Sequence, residues 1–262
     1  MNTPLISVII PCYNQGQYLT ESIGSVLASD YKELEIIVVD DGSTDPETCR
    51  ILGGLGYPKT RLIRRENGGL AAARNSGIAA AQGRYILPLD ADDRIGPHYI
   101  SQAVAAFEVD PSLAIVYCKA EKFGAESGAW PLPAFSRFRM ALGNVIFCSA
   151  LYRKSDWEMV GGYDPSLSRG WEDWDFWLSL LEAGRNVIRL PQVGFYYRKH
   201  HSSMAASMGA DLKTELHRRI ILKHSRYFGF LAVLLAPILR LYYQMAATRL
   251  YRTIKLKGRA LR

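Results

Sequence analysis

The chain has 262 residues, of which 48% are hydrophobic, and this content excludes an intrinsically disordered protein. Its net charge of +7 is unevenly distributed: residues 213–262 carry 12 basic side chains and one acidic side chain, whereas residues 1–212 have a net charge of −4. The basic charge therefore belongs to the C-terminal segment, which argues against a nucleic-acid-binding groove in the body of the protein.

The cysteines form no C-x-x-C pair, which argues against a zinc site or a disulfide framework. We expect all four to be reduced thiols in the core, at Cys12, Cys49, Cys118 and Cys148. The N-terminus has no basic region and no small-residue cleavage site of a secretory signal. These features predict a cytoplasmic location.

Two short β-branched runs near the N-terminus each lead into polar residues, "LISVII" (5–10) into "PCYN" and "LEIIVV" (34–39) into "DDGSTD". Apolar residues between them share one helical face, which predicts a crossover helix over 16–29. The segment "TRLIRR" (60–65) predicts a third strand, and the alanine-rich "GGLAAARNSGIAAAQG" (68–83) predicts a second helix. The alternation predicts a βα repeat.

The next segment, "RYILPLD" (84–90), is almost continuously apolar, as expected for a strand that is covered on both faces. Strands that alternate with helices indicate an α/β fold with a mostly parallel, doubly wound sheet. In such sheets ligands bind at the carboxyl ends of the strands, where the polar clusters "PCYN", "DDGSTD" and "DADD" stand.

The regular alternation stops after residue 110. The segment 124–138 is rich in Gly, Pro and aromatic residues and predicts a long functional loop. We expect a strand, a turn and a short helix over 144–157, a helix over 171–184, and two short strands around "NVIRL" (186–190) and "GFYYR" (194–198).

Three carboxylates follow the strand at 84–90, namely Asp90, Asp92 and Asp93. Carboxylates this close repel one another unless a cation, hydrogen bonds or solvent compensate them. Two carboxylates separated by one residue are suited to Mg²⁺ or Mn²⁺, whose remaining ligands are commonly phosphate oxygens. The alternative is a solvated turn that caps the following helix, because Asp is favoured in both positions.

Six segments resemble, in order and separation, the motifs of the family 2 glycosyltransferases, which have the A-type nucleotide-sugar fold. They cover about the first 205 residues and are "SVIIPCYN" (7–14), "VVDDGSTD" (38–45), "RRENGGLAAARNSG" (64–77), "LDADD" (89–93), "WED" (171–173) and "YRKHHSS" (197–203). The resemblance implies a catalytic domain over 1–208, with a nucleotide-binding half (1–110) and an acceptor-binding half (111–208).

The resemblance also implies roles for residues of the donor half. Asp41 would accept hydrogen bonds from the nucleotide base, Arg74 would reach the base or the diphosphate, and Asp90 would face the ribose or the metal. The other nucleotide-binding residues implied are Pro11, Tyr13, Asn14 and Asp40. Two alternatives remain open. The segment "DDGSTD" would be an ordinary turn, because Asp, Gly and Ser form turns, and Arg74 would be a surface residue of its helix, because Arg is mostly exposed.

By the same resemblance, Asp92, Asp90 and His200 would hold Mn²⁺ or Mg²⁺ on the donor diphosphate. We expect the charge of the crowded carboxylates to be compensated only when this substrate arrives. The alternative for His200 is a solvated loop residue.

The resemblance also implies that the "WED" motif (171–173) binds and activates the acceptor. Asp173 would be the general base, Glu172 would orient Asp173 or the acceptor, and a single base implies inversion of configuration. Trp171 and Trp174 would contact the acceptor sugar. Alternatively, the acids favour a helix start and the tryptophans pack in the core.

The C-terminal segment 209–262 predicts an amphipathic, basic, helical tail. Residues 227–248 contain a single Arg and a Pro, so this stretch would span a membrane, lie on its surface or avoid it. A helix packed on the protein's own core is a further alternative. We expect peripheral attachment to the cytoplasmic face of the membrane, which suits a lipid-linked acceptor.

The resemblance to family 2 implies a metal-dependent, inverting glycosyltransferase, and we expect it to act in cell-envelope polysaccharide synthesis. The donor would be a nucleotide-diphosphate sugar, with UDP preferred over GDP or dTDP, and the acceptor a hydroxyl of a saccharide or lipid-linked saccharide. The processive polysaccharide synthases of the family carry a Q-x-x-R-W motif, which this sequence does not contain. We therefore expect a single addition of sugar and not polymerisation. A non-catalytic nucleotide-sugar or membrane-surface binding module of the same fold remains the alternative.

Overall fold

The computed structural model describes residues 3–168, 170–200 and 209–229. The chain divides into two compact units, 1–201 and 202–262, and each is described by itself. The predicted boundaries at 110/111 and 208/209 stay predictions.

The first unit opens with strands that alternate with helices, as the sequence predicts. A 3₁₀ turn (Gly16–Tyr18) precedes the first α-helix. The elements in chain order are β1 (Ile6–Cys12), α1 (Leu19–Leu27), β2 (Leu34–Asp40), α2 (Pro46–Gly53), β3 (Thr60–Arg64), α3 (Leu70–Ala80) and β4 (Tyr85–Pro88).

The rest of the first unit is less regular. Its elements are β5 (Arg94–Ile95), α4 (Tyr99–Val109), β6 (Leu113–Gly124), β7 (Gly128–Trp130), α5 (Arg137–Leu142), β8 (Leu151–Arg153), α6 (Lys154–Val160), α7 (Glu172–Glu182) and β9 (Asn186–Lys199). The prediction of two short strands at 186–198 is wrong, because one strand of 14 residues pairs with β6 through register shifts. The predicted loop at 124–138 contains β7, which returns against β6 as a hairpin.

Nine strands of the described residues form one sheet in the order β3-β2-β1-β4-β8-β6-β9-β5, with β7 paired to β6. Strands β1 to β4 are mutually parallel, whereas β8 is antiparallel to both β4 and β6. The α/β fold predicted from the sequence is confirmed, and the sheet is mixed: its parallel arrangement belongs mainly to the first half of the chain.

The centre of this sheet is the core of the unit. Every residue of β1 and β4 is buried, as their almost continuously apolar runs predict. The cysteines are free, but they do not share one environment: Cys12 and Cys118 are buried, Cys148 is intermediate and Cys49 is exposed. The expectation of four core thiols is therefore wrong for Cys49, which lies on the surface helix α2.

Helix α3 packs closely on the sheet at Gly77, where an added Cβ would lie 2.5 Å from Cγ2 of Ile9 and 2.9 Å from Cγ2 of Val39. We expect Gly77→Ala to lower the free energy of unfolding by about 1–3 kcal/mol, because carbon atoms this close must displace the core. Urea unfolding measures the change. Gly24→Ala in α1 is the matched control: its Cβ would meet nothing within 4 Å, so it should stabilise the helix by about 0.5–1 kcal/mol. Equal effects of the two substitutions would contradict the close approach.

The described part of the second unit consists of two helices, α8 (Ala210–Lys223) and α9 (Ser225–Phe228). The rest of the predicted amphipathic tail, residues 230–262, lies outside the described residues. Within the ranges 3–168, 170–200 and 209–229, no helix is long and apolar enough to cross a membrane.

Candidate active site

The carboxyl ends of β2, β1 and β4 lie side by side, because β1 pairs in parallel with both of its neighbours. Cys12 is in register with Asp40, and Ile9 is in register with Pro88. The polar segments that follow the three strands therefore meet at one edge of the sheet, where α/β proteins bind ligands.

Asn14 joins the ends of β1 and β2. Its Oδ1 accepts hydrogen bonds from the backbone N–H groups of Thr44 and Asp45, each at 2.8 Å, and its own N–H donates to Oγ of Ser43 at 3.1 Å. Its φ of 53° is a left-handed conformation that Asn adopts more readily than most residues. Asn14 thus shapes the loop after β2 with both its backbone and its side chain.

Asp41 organises the loop that precedes α3. Its carboxylate accepts hydrogen bonds from Nη1 of Arg65 (2.8 Å) and from the backbone N–H groups of Gly68 (3.1 Å) and Gly69 (2.8 Å). Asp40, next to it, accepts from the backbone N–H of Ser43 at 2.9 Å. A contact between Asp41 and a nucleotide base stays a prediction, and it requires a free lone pair of this carboxylate or an exchange of partners.

The other two residues predicted to line this pocket differ in exposure. Pro11 is buried within β1, whereas Tyr13 is 47% exposed. Tyr13 is therefore the one of the two whose side chain is accessible to a ligand.

Arg74 lies on α3 with its side chain 1% exposed, and it bridges two acidic motifs. Its Nη2 donates to Oδ1 of Asp90 at 2.7 Å, and its Nη1 donates to Oε1 of Glu172 at 2.5 Å. Burial disfavours the charged form of the guanidinium, but the negative charges of Asp90 and Glu172 favour it more strongly. The pKa of Arg74 therefore lies well above its ordinary value. Arg74 thus joins the "DADD" and "WED" segments, which are about 80 residues apart in the chain.

The three carboxylates after β4 each have a partner in the protein. Asp90 binds Arg74, Asp92 lies with Oδ2 2.8 Å from Nε2 of His200, and Asp93 accepts the backbone N–H of Arg198 at 2.7 Å. The pKa values of Asp92 and Asp93 are both raised, that of Asp93 well above its ordinary value. Burial is the largest cause, and the charges of the neighbouring carboxylates are the next. The expectation that only a substrate compensates this cluster is wrong in part, because each carboxylate already has a hydrogen-bond partner in the protein. The raised pKa values show that these partners do not fully offset burial and the repulsion between the carboxylates.

Arg198 is a residue of this site that the sequence analysis did not single out. Its Nε donates to the backbone carbonyl of Asp92 at 2.8 Å, its Nη2 contacts Glu21, and its guanidinium stacks over the rings of Tyr18 and Phe123. Its place in the "YRKHHSS" motif (197–203), two residues before His200, is the sequence signal that could have identified it. Residues 201–203 of that motif lie outside the described residues.

Asp173 lies in the first turn of α7, just after Trp171, whose φ of 68° directs the chain into the helix. Its Oδ1 accepts the backbone N–H of Trp174, and its Oδ2 accepts Nδ2 of Asn144, both at 2.8 Å. Burial, and next the charge of Glu172, raise the pKa of Asp173 to about 7. A carboxylate with this pKa is suited to accept a proton near neutral pH.

The two tryptophans of this motif occupy different environments. Trp174 is 2% exposed and donates Nε1 to the carbonyl oxygen of Met140 at 2.9 Å. Trp171 retains partial exposure and meets Trp174 edge to face, with ring centroids 5.6 Å apart. Contact with an acceptor stays a prediction for both, and only Trp171 presents accessible surface for it.

The model of the family described as "Glycosyl transferase family 2" matches residues 7–162, which is more than half of the chain. The chain belongs to glycosyl transferase family 2. The match includes β1 to β4 and therefore the segments that carry Asp41, Arg74 and the "DADD" carboxylates.

Two curated relatives of the family 2 chain differ in how much of their own length the chain covers. The chondroitin synthase of Escherichia coli is 29% identical over 226 residues, covering 83% of this chain and 32% of that protein. An uncharacterized glycosyltransferase of Rickettsia prowazekii is 35% identical over 193 residues, covering 69% of this chain and 60% of that protein. The chain thus spans about a third of the first relative's length and less than two thirds of the second's.

Among solved structures, the chain is similar to TarS 1–349 of S. aureus in complex with UDP-GlcNAc, with a TM-score of 0.69 and 21% identity. The similarity covers 85% of this chain and 69% of that chain. At this level of identity, the comparison shows that the two proteins share a fold.

Family 2 implies a divalent metal, and part of the predicted ligand set suits one. Asp92 and His200 are adjacent and partly exposed, with side-chain exposures of 15% and 31%. Carboxylate oxygens together with an imidazole suit Mn²⁺, and Mg²⁺ likewise takes the rest of its shell from phosphates and water. Within the described ranges, no group of three or more His, Cys, Asp or Glu residues is arranged to hold a metal ion. The protein therefore offers a partial site.

Proposed function

We propose that this family 2 chain is a metal-dependent, inverting glycosyltransferase that moves a sugar from a nucleotide-diphosphate donor to a hydroxyl group. One observation carries the proposal: the guanidinium of Arg74 binds the first "DADD" carboxylate and Glu172 at the same time. It brings the end of the donor-side strand next to Asp173, a carboxylate with a pKa of about 7. A glycosyltransferase needs its diphosphate site close to its base, because the acceptor hydroxyl attacks the same carbon atom that the diphosphate leaves.

On the donor side, the loops shaped by Asn14 and Asp41 form the nucleotide pocket, with Tyr13 and Asp40 beside them. Asp90 faces the ribose or the metal. Asp92 and His200 hold Mn²⁺ or Mg²⁺, which supplies Lewis-acid stabilisation of the leaving diphosphate when it is bound. Arg74 acts in this arrangement through Asp90 and Glu172, and contacting the diphosphate directly requires the exchange of one of these bonds.

On the acceptor side, Asp173 takes the proton of the attacking hydroxyl, and Glu172 holds the first turn of α7 against Arg74. A single base on the face opposite the leaving group gives inversion of configuration at the anomeric carbon. The two hydrogen-bond partners of Asp173, Asn144 and the backbone of Trp174, support this role because they fix the carboxylate in one orientation.

For the acceptor we propose a saccharide or a lipid-linked saccharide of the cell envelope. A cavity of about 210 Å³, lined in part by Trp130, Leu132 and Arg189, supports a saccharide because aromatic faces and Arg side chains suit sugar rings and their polar groups. The excess of basic residues over 213–262 supports attachment to an anionic membrane surface on the cytoplasmic side. The E. coli relative is a chondroitin synthase, which also fits a saccharide product.

A thermal-shift panel tests the donor and the metal together. We expect one nucleotide class among UDP-GlcNAc, UDP-glucose, GDP-mannose and dTDP-glucose to raise the melting temperature in the presence of Mn²⁺, with UDP favoured because TarS was solved with UDP-GlcNAc. At a ligand concentration about 100 times Kd, binding adds about 2.7 kcal/mol, or roughly 5–10 °C in a domain of this size.

The metal-dependent part of this shift should disappear in Asp92→Ala. The matched control is Asp30→Ala, which removes an exposed aspartate that also lies 2.8 Å from a histidine nitrogen, that of His98. No shift with any donor would contradict the proposal and favour a non-catalytic membrane-surface module. An equal loss in both variants would contradict the role of Asp92 in holding the metal.

A further inference from the structure

Asn144 contacts the proposed base directly. Its Nδ2 donates to Oδ2 of Asp173 at 2.8 Å, while its Oδ1 accepts the backbone N–H of Ile146 at 3.1 Å. The second contact orients the amide, because a backbone donor holds its oxygen and leaves the NH₂ group for the carboxylate. Asn144 therefore reaches Asp173 as a hydrogen-bond donor.

The segment that carries Asn144 is attached to α7 along its length. Nη2 of Arg137 donates to the carbonyl oxygen of Leu181 at 3.4 Å, and Met140 accepts from Trp174 as described above. Of these contacts, the one from Asn144 reaches the reacting carboxylate. The segment 137–146 thus packs along α7 and ends at the base.

The other groups near Asp173 act on its charge in opposite directions. Glu172 and Asp90 disfavour the ionised carboxylate, and Arg74 favours it. The thiol of Cys148, which donates to Asp90 at 3.4 Å, is a further titratable group close by. A hydrogen bond donated to a carboxylate stabilises the ionised form, which is the form that accepts a proton.

We propose that Asn144 is a positioning residue for the transfer reaction: it fixes the orientation of the Asp173 carboxylate and stabilises its ionised state. This inference deepens the proposed function and rests on it for the role of Asp173 as the base. The hydrogen bond from Asn144 to Asp173 does not depend on whether Asp173 is the base, and it is tested separately.

Two variants separate the hydrogen bond from the fold. Asn144→Asp keeps the oxygen that accepts from Ile146 but replaces the donor to Asp173 with a carboxylate, and Asn144→Ala removes both contacts. The control is Asn186→Asp at the exposed start of β9, where the side chain donates to Oγ of Ser112 at 2.9 Å. The melting temperature of each variant shows whether it is folded.

The direct measurement is a ¹³C NMR titration of protein labelled at the aspartate carboxyl carbons, with the Asp173 signal assigned from its loss in Asp173→Asn. We expect the pKa of Asp173 to rise by about one unit or more in Asn144→Ala, because a hydrogen bond to a charged group is lost. It should rise at least as much in Asn144→Asp, where a second carboxylate also repels the charge of Asp173, and stay unchanged in Asn186→Asp. An unchanged pKa of Asp173 in either folded Asn144 variant overturns the inference.

Turnover of the donor chosen by the thermal-shift panel then distinguishes the two proposals. The acid limb of the rate profile should move upward by about one pH unit in the Asn144 variants, so that activity lost at pH 6 returns at pH 9. If Asp173→Asn retains full turnover, the proposed base is wrong even where the NMR result holds. If Asp173→Asn is inactive and the Asn144 profile is unchanged, only the positioning role fails.

Discussion

Replacing Asp173 with asparagine is expected to lower the rate of sugar transfer by about 10²–10⁴-fold, the usual contribution of a positioned general base. The amide keeps the size of the side chain and still accepts one hydrogen bond, so donor binding should survive. Release of nucleoside diphosphate measures the rate, and the donor-dependent thermal shift measures binding. The control is Glu182→Gln at the exposed far end of the same helix, which should leave both unchanged.

The rate should also depend on pH in a defined direction. Asp173 accepts a proton only when it is ionised, and its pKa is about 7. The rate is therefore expected to fall as the pH drops below about 7 and to level off above it, whereas an ordinary aspartate would stay active down to about pH 4. A rate that is flat from pH 5 to 8, or an active Asp173→Asn variant, would contradict the role of Asp173 as the base.

Replacing Arg74 with methionine is expected to lower the free energy of unfolding by about 3–5 kcal/mol, because it leaves the buried Glu172 and the partly buried Asp90 without their cation. In a domain of this size the melting temperature should fall by about 6–20 °C. Arg50→Met is the matched control, since Arg50 pairs with Glu47 on the exposed face of α2 and its loss should have little effect.

A double-mutant cycle separates the ion pair from the packing of the arginine. Glu172→Gln in the Arg74→Met background removes the unpaired charge, so the double variant should be more stable than Arg74→Met alone. Urea unfolding of the four proteins gives the coupling energy. Additive losses would mean that Arg74 stabilises the protein through packing and not through its bond to Glu172.

The sequence predicted the parallel half of the fold well, because its signals are local. Strands β1, β2 and β4 are almost continuously apolar runs, and each run leads into Asp, Gly, Ser or Asn, which favour turns. These two facts place Asn14, Asp41 and Asp90 at one edge of the sheet before any contact is known. The second half was predicted less well, since β9 is joined to β6 through register shifts that no local pattern encodes.

The sequence by itself determined the family, the α/β alternation and the residue types at the strand ends, because each depends on residues close together in the chain. Only the tertiary structure decided that Arg74 joins Asp90 to Glu172, that Arg198 supports the "DADD" turn, that Trp174 is buried and that Asn144 meets Asp173. Most of these contacts join residues 29 to 106 positions apart, and burial depends on every element that packs around a side chain. Composition and periodicity report which residues are available, whereas the path of the chain determines which of them meet.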